Sequence, residues 1–330
     1  MPAVRPGVML PGAVTMKEAE RLASEAEAAG AEAVWILDVR RDPYLTCAAA
    51  LAGTRTIQVG TDVAVAFSRS PAVTAQCAWD LAAWSRGRFV LGLGSQVGPT
   101  LKDRFGVEAD HPAPRLADYV RAVRGCWEAY SAGHGRYMGE YYRIRMPLFQ
   151  PGADEGWPEV PVYTAGVNPV MTAVAGEVAD GFAAHMYSTP SYLDEVIRPA
   201  LAAGAERAGR NPPPVLMGIT LGRSRESLSR QMGVYTVPSY RRVLDHAGLG
   251  DIADAALKMI AERRRPEAER LLDSEVLDLL GVGLMEELPA VVERWSPHVE
   301  RIALGVVWYG VAHDQQVADF RAVLKALEQL

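Results

Sequence analysis

Arg88-Phe89-Val90-Leu91-Gly92-Leu93-Gly94-Ser95-Gln96 is a continuous apolar run that ends in glycines and polar residues. A short apolar run bounded by turn signals reads as a strand covered on both faces, the kind that parallel sheets contain. Its exit is not Gly-x-Gly-x-x-Gly and does not open directly into a helix, so the dinucleotide fingerprint of an open α/β sheet is absent. The glycines instead leave space for a flat ring or a phosphate to approach the backbone, because no Cβ stands in the way. Gln96 can both donate to and accept from a polar ring edge. A tight turn out of a barrel gives the same pattern.

Outward from this run, strands and helices alternate. Upstream lie a helix over Pro71 to Ser85, a strand over Thr56 to Val63, a helix opened by Asp42-Pro43, and a strand Val34-Trp35-Ile36-Leu37 closed by Asp38. Aspartate followed by proline suits an N-cap and first helical position. Before these, Gly7 to Leu10 is a strand, and Thr15-Met16-Lys17-Glu18 is a capping box that starts a helix. Downstream the pattern predicts a helix over Pro114 to Ala132, a strand over Pro161 to Ala165, a helix near 169–178, and a strand over Asp180 to His185. A helix from about Pro190 to Ala208 and a strand over Val215 to Leu221 come next, then a last strand over Val299 to Val307 and a closing helix over Asp314 to Leu330. Eight strands in this alternation predict one α/β domain over 1–330, a (β/α)8 TIM barrel with insertions near 137–150 and 224–297. The first insertion reads as a hairpin and the second as two to four helices. An open doubly wound sheet is the alternative.

The chain has 330 residues, 49% of them hydrophobic, enough to bury a large core. Its net charge of −6 and lack of a basic block predict no nucleic-acid partner. No segment is apolar over the ~20 residues of a membrane span, and no secretory leader is visible. Cys47, Cys77 and Cys126 are odd in number and widely spaced, which predicts buried thiols rather than a disulfide framework or a metal site. A reducing cytoplasm is the expected compartment.

In a barrel of this kind the chemistry sits where strands end and βα loops begin. The residues there include Asp38; Thr61, Asp62 and Val63; Gly94, Ser95 and Gln96; Ala165, Gly166, Val167 and Asn168; His185; and Trp308 and Tyr309. Gly166-Val167-Asn168-Pro169 joins a strand to a helix, and free amides at a helix N-terminus make a phosphate site. Asn168 as a plain N-cap is compatible with that. Asp38 can serve as an acid, or cap and pair with Arg40 or Arg41. Asp62 lies inside an apolar stretch, where a carboxylate is costly without a partner. His185 can donate a proton or bind a substrate. Trp308 and Tyr309 can wall the pocket or pack beside it. His111, His134, His246, His298 and His313 lack ligand spacing and read as structural.

Arg86-Gly87-Arg88-Phe89-Val90-Leu91-Gly92-Leu93-Gly94-Ser95-Gln96 resembles the bacterial luciferase-like superfamily, in particular its F420-dependent (deazaflavin) oxidoreductase branch. Asp42-Pro43-Tyr44-Leu45, Arg69-Ser70-Pro71-Ala72-Val73, Gly139-Glu140-Tyr141-Tyr142, Pro161 to Pro169 and Ala175 to Phe182 match it in order. The resemblance implies an enzyme of the barrel fold, usually a homodimer, that moves hydride between coenzyme F420 and a small-molecule substrate. FMN, in a reduced-flavin monooxygenase, is the alternative cofactor, and a ligand-binding homologue without turnover is a third reading. The resemblance also implies a non-prolyl cis peptide in Thr61-Asp62-Val63, with cofactor contacts from that segment, from Gly94-Ser95-Gln96 and from Ala165 to Asn168. Two places depart from the family. Val39 follows Asp38 where a histidine proton donor is often found, and Gly283-Leu284-Met285-Glu286-Glu287 lacks the proline of a Gly-Thr-Pro-acidic helix start. Asp38, Asp62 and His185 are then the candidates for the proton, with Asp38 the preferred acid and Asp62 the preferred cofactor contact.

Overall fold

The computed structural model describes residues 4–146, 159–272 and 274–330. Eight strands close on themselves: β1 (Gly7–Met9), β2 (Ala33–Ile36), β3 (Gln58–Thr61), β4 (Phe89–Gly94), β5 (Val162–Gly166), β6 (Gly181–Ala184), β7 (Val215–Gly222) and β8 (Arg301–Val306). Each pairs in parallel with its neighbours in chain order, and β8 pairs back to β1, with Gly7 opposite Ala303. The closure excludes the open-sheet alternative. The strands lie within a residue or two of the predicted runs, and the third stops at Thr61. There the chain leaves the wall and returns at Ala64–Val65, which pairs with Leu93 and Gly94 of β4.

The helices that separate the strands begin where the sequence signals them. Thr15 and Glu18 form the reciprocal capping box of α1 (Met16–Ala28). Asp42 accepts from the Tyr44 and Leu45 amides at the start of α2 (Pro43–Ala52). Ser70 caps α3 (Pro71–Ser85). The exit of β4 differs from expectation: a short helix without a side-chain cap, α4 (Gly98–Phe105), opens after Ser95-Gln96-Val97, where the sequence reading placed none. α5 (Pro112–Ala132) and α6 (Pro169–Val178) flank the expected hairpin, whose strands are Gly135–Met138 and Arg143–Met146. Buried Asp118 docks that hairpin by accepting from the Tyr141 and Tyr142 amides. Residues 147–150 of the expected insertion lie outside the described residues.

The segment 224–297 differs from expectation. It holds six α-helices among the described residues, not two to four, and a short strand, Val282–Leu284, that pairs with β7. Left-handed turns at Gly248 and Arg263 cut the helical run into pieces. Cys47 and Cys126 are buried as predicted, but Cys77 is only partly so. Among the described residues no helix is long and apolar enough to cross a membrane.

Strand alternation divides the core. Phe89, Leu91 and Leu93 point outward to the helices, each contributing about 1.5–3 kcal/mol by burial. The inward positions fill the barrel unevenly. Trp35, Val90, Tyr163 and Leu216 form a packed lower layer, with Trp35 and Tyr163 centroids 5.9 Å apart. Further up, the inward residues of β4, β5 and β7 shrink to Gly92 and Gly94, Ala165 and Gly218, and β6 offers only Ala183. Large residues below and small ones above leave a floored hollow at the C-terminal mouth.

Candidate active site at the barrel mouth

That hollow is a cavity of about 690 Å³, within the range that small-molecule sites occupy. Of the residues expected at the site, Asp38, Asp62, Val63, Gly94, Ser95, Gln96, Ala165, Gly166, Val167, Asn168 and His185 all line it. Thr61 does not. Its hydroxyl donates to the Gly92 carbonyl at 2.6 Å and accepts from the Gly92 amide at 2.9 Å, filling the rung where β3 parts from β4. Trp308 and Tyr309 are absent from the lining as well; both donate their backbone N–H to Gln231. His111, read from sequence as structural, does reach the cavity.

The Asp62–Val63 peptide is cis, at the segment the resemblance pointed to. Val63 fits beside β4 because residue 94 is glycine: a Cβ there would fall 2.6 Å from the Val63 Cγ2. Asp62 is half-buried against the cavity, and among the described residues its carboxyl has no hydrogen bond or ion pair. Desolvation of the charged form therefore pushes it up to about 7.

Asp38 sits one strand away in a different setting. Its carboxylate accepts from Arg104 at 3.0 Å, Arg69 at 3.4 Å and the Val65 amide at 3.1 Å. Arg104, on α4, also bonds the Asp38 carbonyl at 2.8 Å, and Arg69 reaches on to Asp42 at 2.7 Å. The partners are thus Arg69 and Arg104 rather than the neighbouring Arg40 or Arg41. Asp38 ties α4, α2 and the Ala64–Val65 return to the end of β2.

The phosphate-type turn is pinned from two sides. Tyr192 donates to the Val167 carbonyl at 2.9 Å, and the Asn168 side chain donates to the Ser239 carbonyl at 3.2 Å. Asn168 occupies the N-cap position of α6 but makes no side-chain cap, so the first amides of α6 are not capped by it. Ser239 belongs to a cover that sequence reading missed. Tyr235 and Tyr240 line the cavity, and the His185 ring packs against both, with centroids 4.5 and 4.8 Å away. His185 Nδ1 accepts from the Tyr187 amide at 3.0 Å, and burial pulls its pKa down to about 4, so the ring is neutral.

A floored parallel barrel with this mouth defines a class, and comparison with known proteins supplies the family. Residues 2–313 match the luciferase-like monooxygenase family model, and the chain belongs to that family. An uncharacterised protein of Mycobacterium tuberculosis is 33% identical over 292 residues, 81% of this chain and 86% of that one. The structure of the coenzyme F420-dependent tetrahydromethanopterin reductase from Methanopyrus kandleri superposes with a TM-score of 0.79 at 20% identity, covering 98% of this chain and 97% of that one. The FMN complex of the oxygenating component of 3,6-diketocamphane monooxygenase from Pseudomonas putida superposes at 0.64 with 18% identity, covering 99% and 96%. F420-dependent reductases and flavin monooxygenases are thus both among the structural neighbours.

Proposed function

We propose that the chain is an F420-dependent oxidoreductase that transfers hydride to or from a small organic substrate at the barrel mouth. The observation that carries the reading is the unpaired Asp62 carboxyl facing a cavity large enough for a tricyclic ring and a small partner. The residues present fit the cofactor. The small inward layer of Gly94, Ala165 and Gly218 offers a flat approach, and Gly166 to Asn168 with the opening of α6 offers backbone amides for its phosphate. When bound, the deazaflavin supplies the hydride chemistry.

The protein's share is positioning and proton control. A carboxyl at about 7 can hold or release a proton near neutral pH, which is where a general acid or base works best. We assign that part to Asp62, in place of the family histidine that Val39 replaces, and the part of a brace to Asp38. Reduced FMN in a monooxygenase is the second reading, favoured by the flavin-bound neighbour, because a phosphate turn serves either cofactor. A homodimer fits the apolar side chains left exposed on α2 and α3, Leu45 and Trp84 among them. Three free thiols fit a reducing compartment.

The experiment is a titration of the purified chain with F420 and with FMN, read by cofactor fluorescence. F420 binding at least tenfold tighter than FMN is expected. Tight FMN binding without F420 binding would move the function to the monooxygenase. Binding of either without turnover of any substrate would point to a homologue that has lost its chemistry. Gly166→Val should weaken F420 about tenfold with the fold intact, because a Cβ there already meets the Met171 side chain at 2.8 Å and the branches crowd the phosphate turn. Unchanged affinity in a folded Gly166→Val protein would remove the phosphate from this turn.

A further inference from the structure

We infer that His185 is the substrate-recognition group of this site, donating its Nε2–H to the oxygen of an uncharged carbonyl or alcohol, and that anionic substrates are excluded. The inference rests on the oxidoreductase reading and adds to it a substrate class and the residue that selects it.

The geometry starts from the Tyr187 amide. A backbone N–H can only donate, so His185 Nδ1, 3.0 Å away, must be the accepting nitrogen. In a neutral ring the proton then resides on Nε2. Nε2 has no partner among the described residues, yet it is not one of the sealed polar atoms of the core. The ring closes β6 at the cavity wall, packed against Tyr235 and Tyr240, which also touch each other. It is therefore a fixed neutral donor with an open position in front of it. Burial keeps it neutral through the physiological range, so it offers a hydrogen bond rather than a charge.

The rest of the lining gives the charge of what it meets. Among the described residues no Lys or Arg lines the cavity, and the stretch Pro147 to Pro158 contains neither in its sequence. The lining carboxyls are Asp38, turned to its two arginines, and Asp62, which has no counter-charge. A carboxylate or phosphate on the substrate would be desolvated here with no lysine or arginine to meet it, and only the His111 ring besides His185 to offer an imidazole donor, at a cost a neutral molecule does not bear. Met9, Leu37, Val39 and Met186 supply apolar surface for its carbon skeleton.

The test uses the full chain loaded with F420, with loading followed by deazaflavin fluorescence. Cyclohexanone and 4-oxocyclohexanecarboxylate are the probes, and ¹⁵N-labelled histidine reports the ring. The expected results are four. His185 gives the Nε2–H tautomer with and without F420. Cyclohexanone shifts that signal. The carboxylate probe binds at least tenfold more weakly than cyclohexanone. His185→Phe, which keeps a flat ring against the tyrosines, loses at least tenfold in cyclohexanone affinity with F420 affinity unchanged. An Nδ1–H tautomer, equal binding of the two probes, no cyclohexanone binding to the loaded chain, or full affinity in His185→Phe would each overturn the inference. A loss of F420 affinity in His185→Phe with the probe unaffected would do the same, placing the ring on the cofactor. Failure of the wild-type chain to load F420 is a separate result, and it would overturn the oxidoreductase reading itself.

Discussion

Asp38 and Asp62 stand at the ends of adjacent strands, line the same cavity, and have opposite surroundings. The end of β2 is a knot: two guanidiniums and a backbone amide converge on one carboxylate, and its side chain is 3% exposed. The end of β3 has no such partners, and solvent exclusion alone acts on the acid there. The residue type is the same, so the difference in what each carboxyl can do comes from the neighbours. A carboxylate spent on arginines is suited to holding elements together, while an unpaired one is suited to exchanging a proton.

Substitution of both by asparagine should separate the two roles most strongly. Asp62→Asn keeps the shape and removes the proton, and turnover should fall about 10²-fold or more with F420 affinity retained. Asp38→Asn should change turnover by less than about tenfold. If the rates fall the other way round, the proton belongs to the β2 end and the assignment is reversed.

Stability should mirror this. Asp38→Asn leaves Arg104 and Arg69 facing a neutral amide, and an unfolding titration should record a loss of about 2–3 kcal/mol. A loss under about 0.5 kcal/mol would mean that the knot is an ordinary surface pairing.

The pH dependence sharpens the comparison further. Asp62 in the folded chain titrates near 7 against 3.8 ordinarily, so the folded state binds the extra proton between those values. Its contribution falls as pH rises through that window and is level above it. His185 lies at about 4 against 6.5, so there the unfolded state binds the extra proton and stability rises with pH. The two slopes oppose each other up to about pH 6.5. Asp62→Asn should expose the rise, and near pH 8 it should be more stable than wild type. His185→Phe should expose the fall. Denaturant midpoints at three pH values would test both signs.

Arg104→Lys gives the smallest expected effect, under about 1 kcal/mol, because lysine keeps the charge but loses the fork that reaches both the carboxylate and the carbonyl of Asp38. An effect equal to that of Asp38→Asn would show that the fork, rather than the charge, holds α4.

Local signals made much of this legible in advance. Thr15 with Glu18, and Asp42 with the Tyr44 and Leu45 amides, are contacts within four residues, and both caps form as read. The strand ends were legible too, because a barrel puts every one of them at the same face. Arg104 was not: it meets Asp38 across 66 residues, and nothing in its own helix marks it. The Tyr235 and Tyr240 cover was hidden in a segment of short helices without a steady period. Val282–Leu284 is too short to stand out as a strand. The cavity itself had an unused signal. Reading every second residue along β4 gives Val90, Gly92, Gly94, and the step from valine to glycine marks where the filled barrel becomes a hollow one.

The Thr61 hydroxyl has a consequence for how such a site could change over generations. By giving and taking one hydrogen bond each with Gly92, it stands in for a peptide group at the point where the wall would otherwise open. The frame is complete on either side of residues 62 and 63 without calling on their side chains. Mutation can therefore sample new acids, thiols or hydroxyls at position 62 while the barrel stays closed, so the side chain that this position offers to the cavity can be replaced without refounding the architecture.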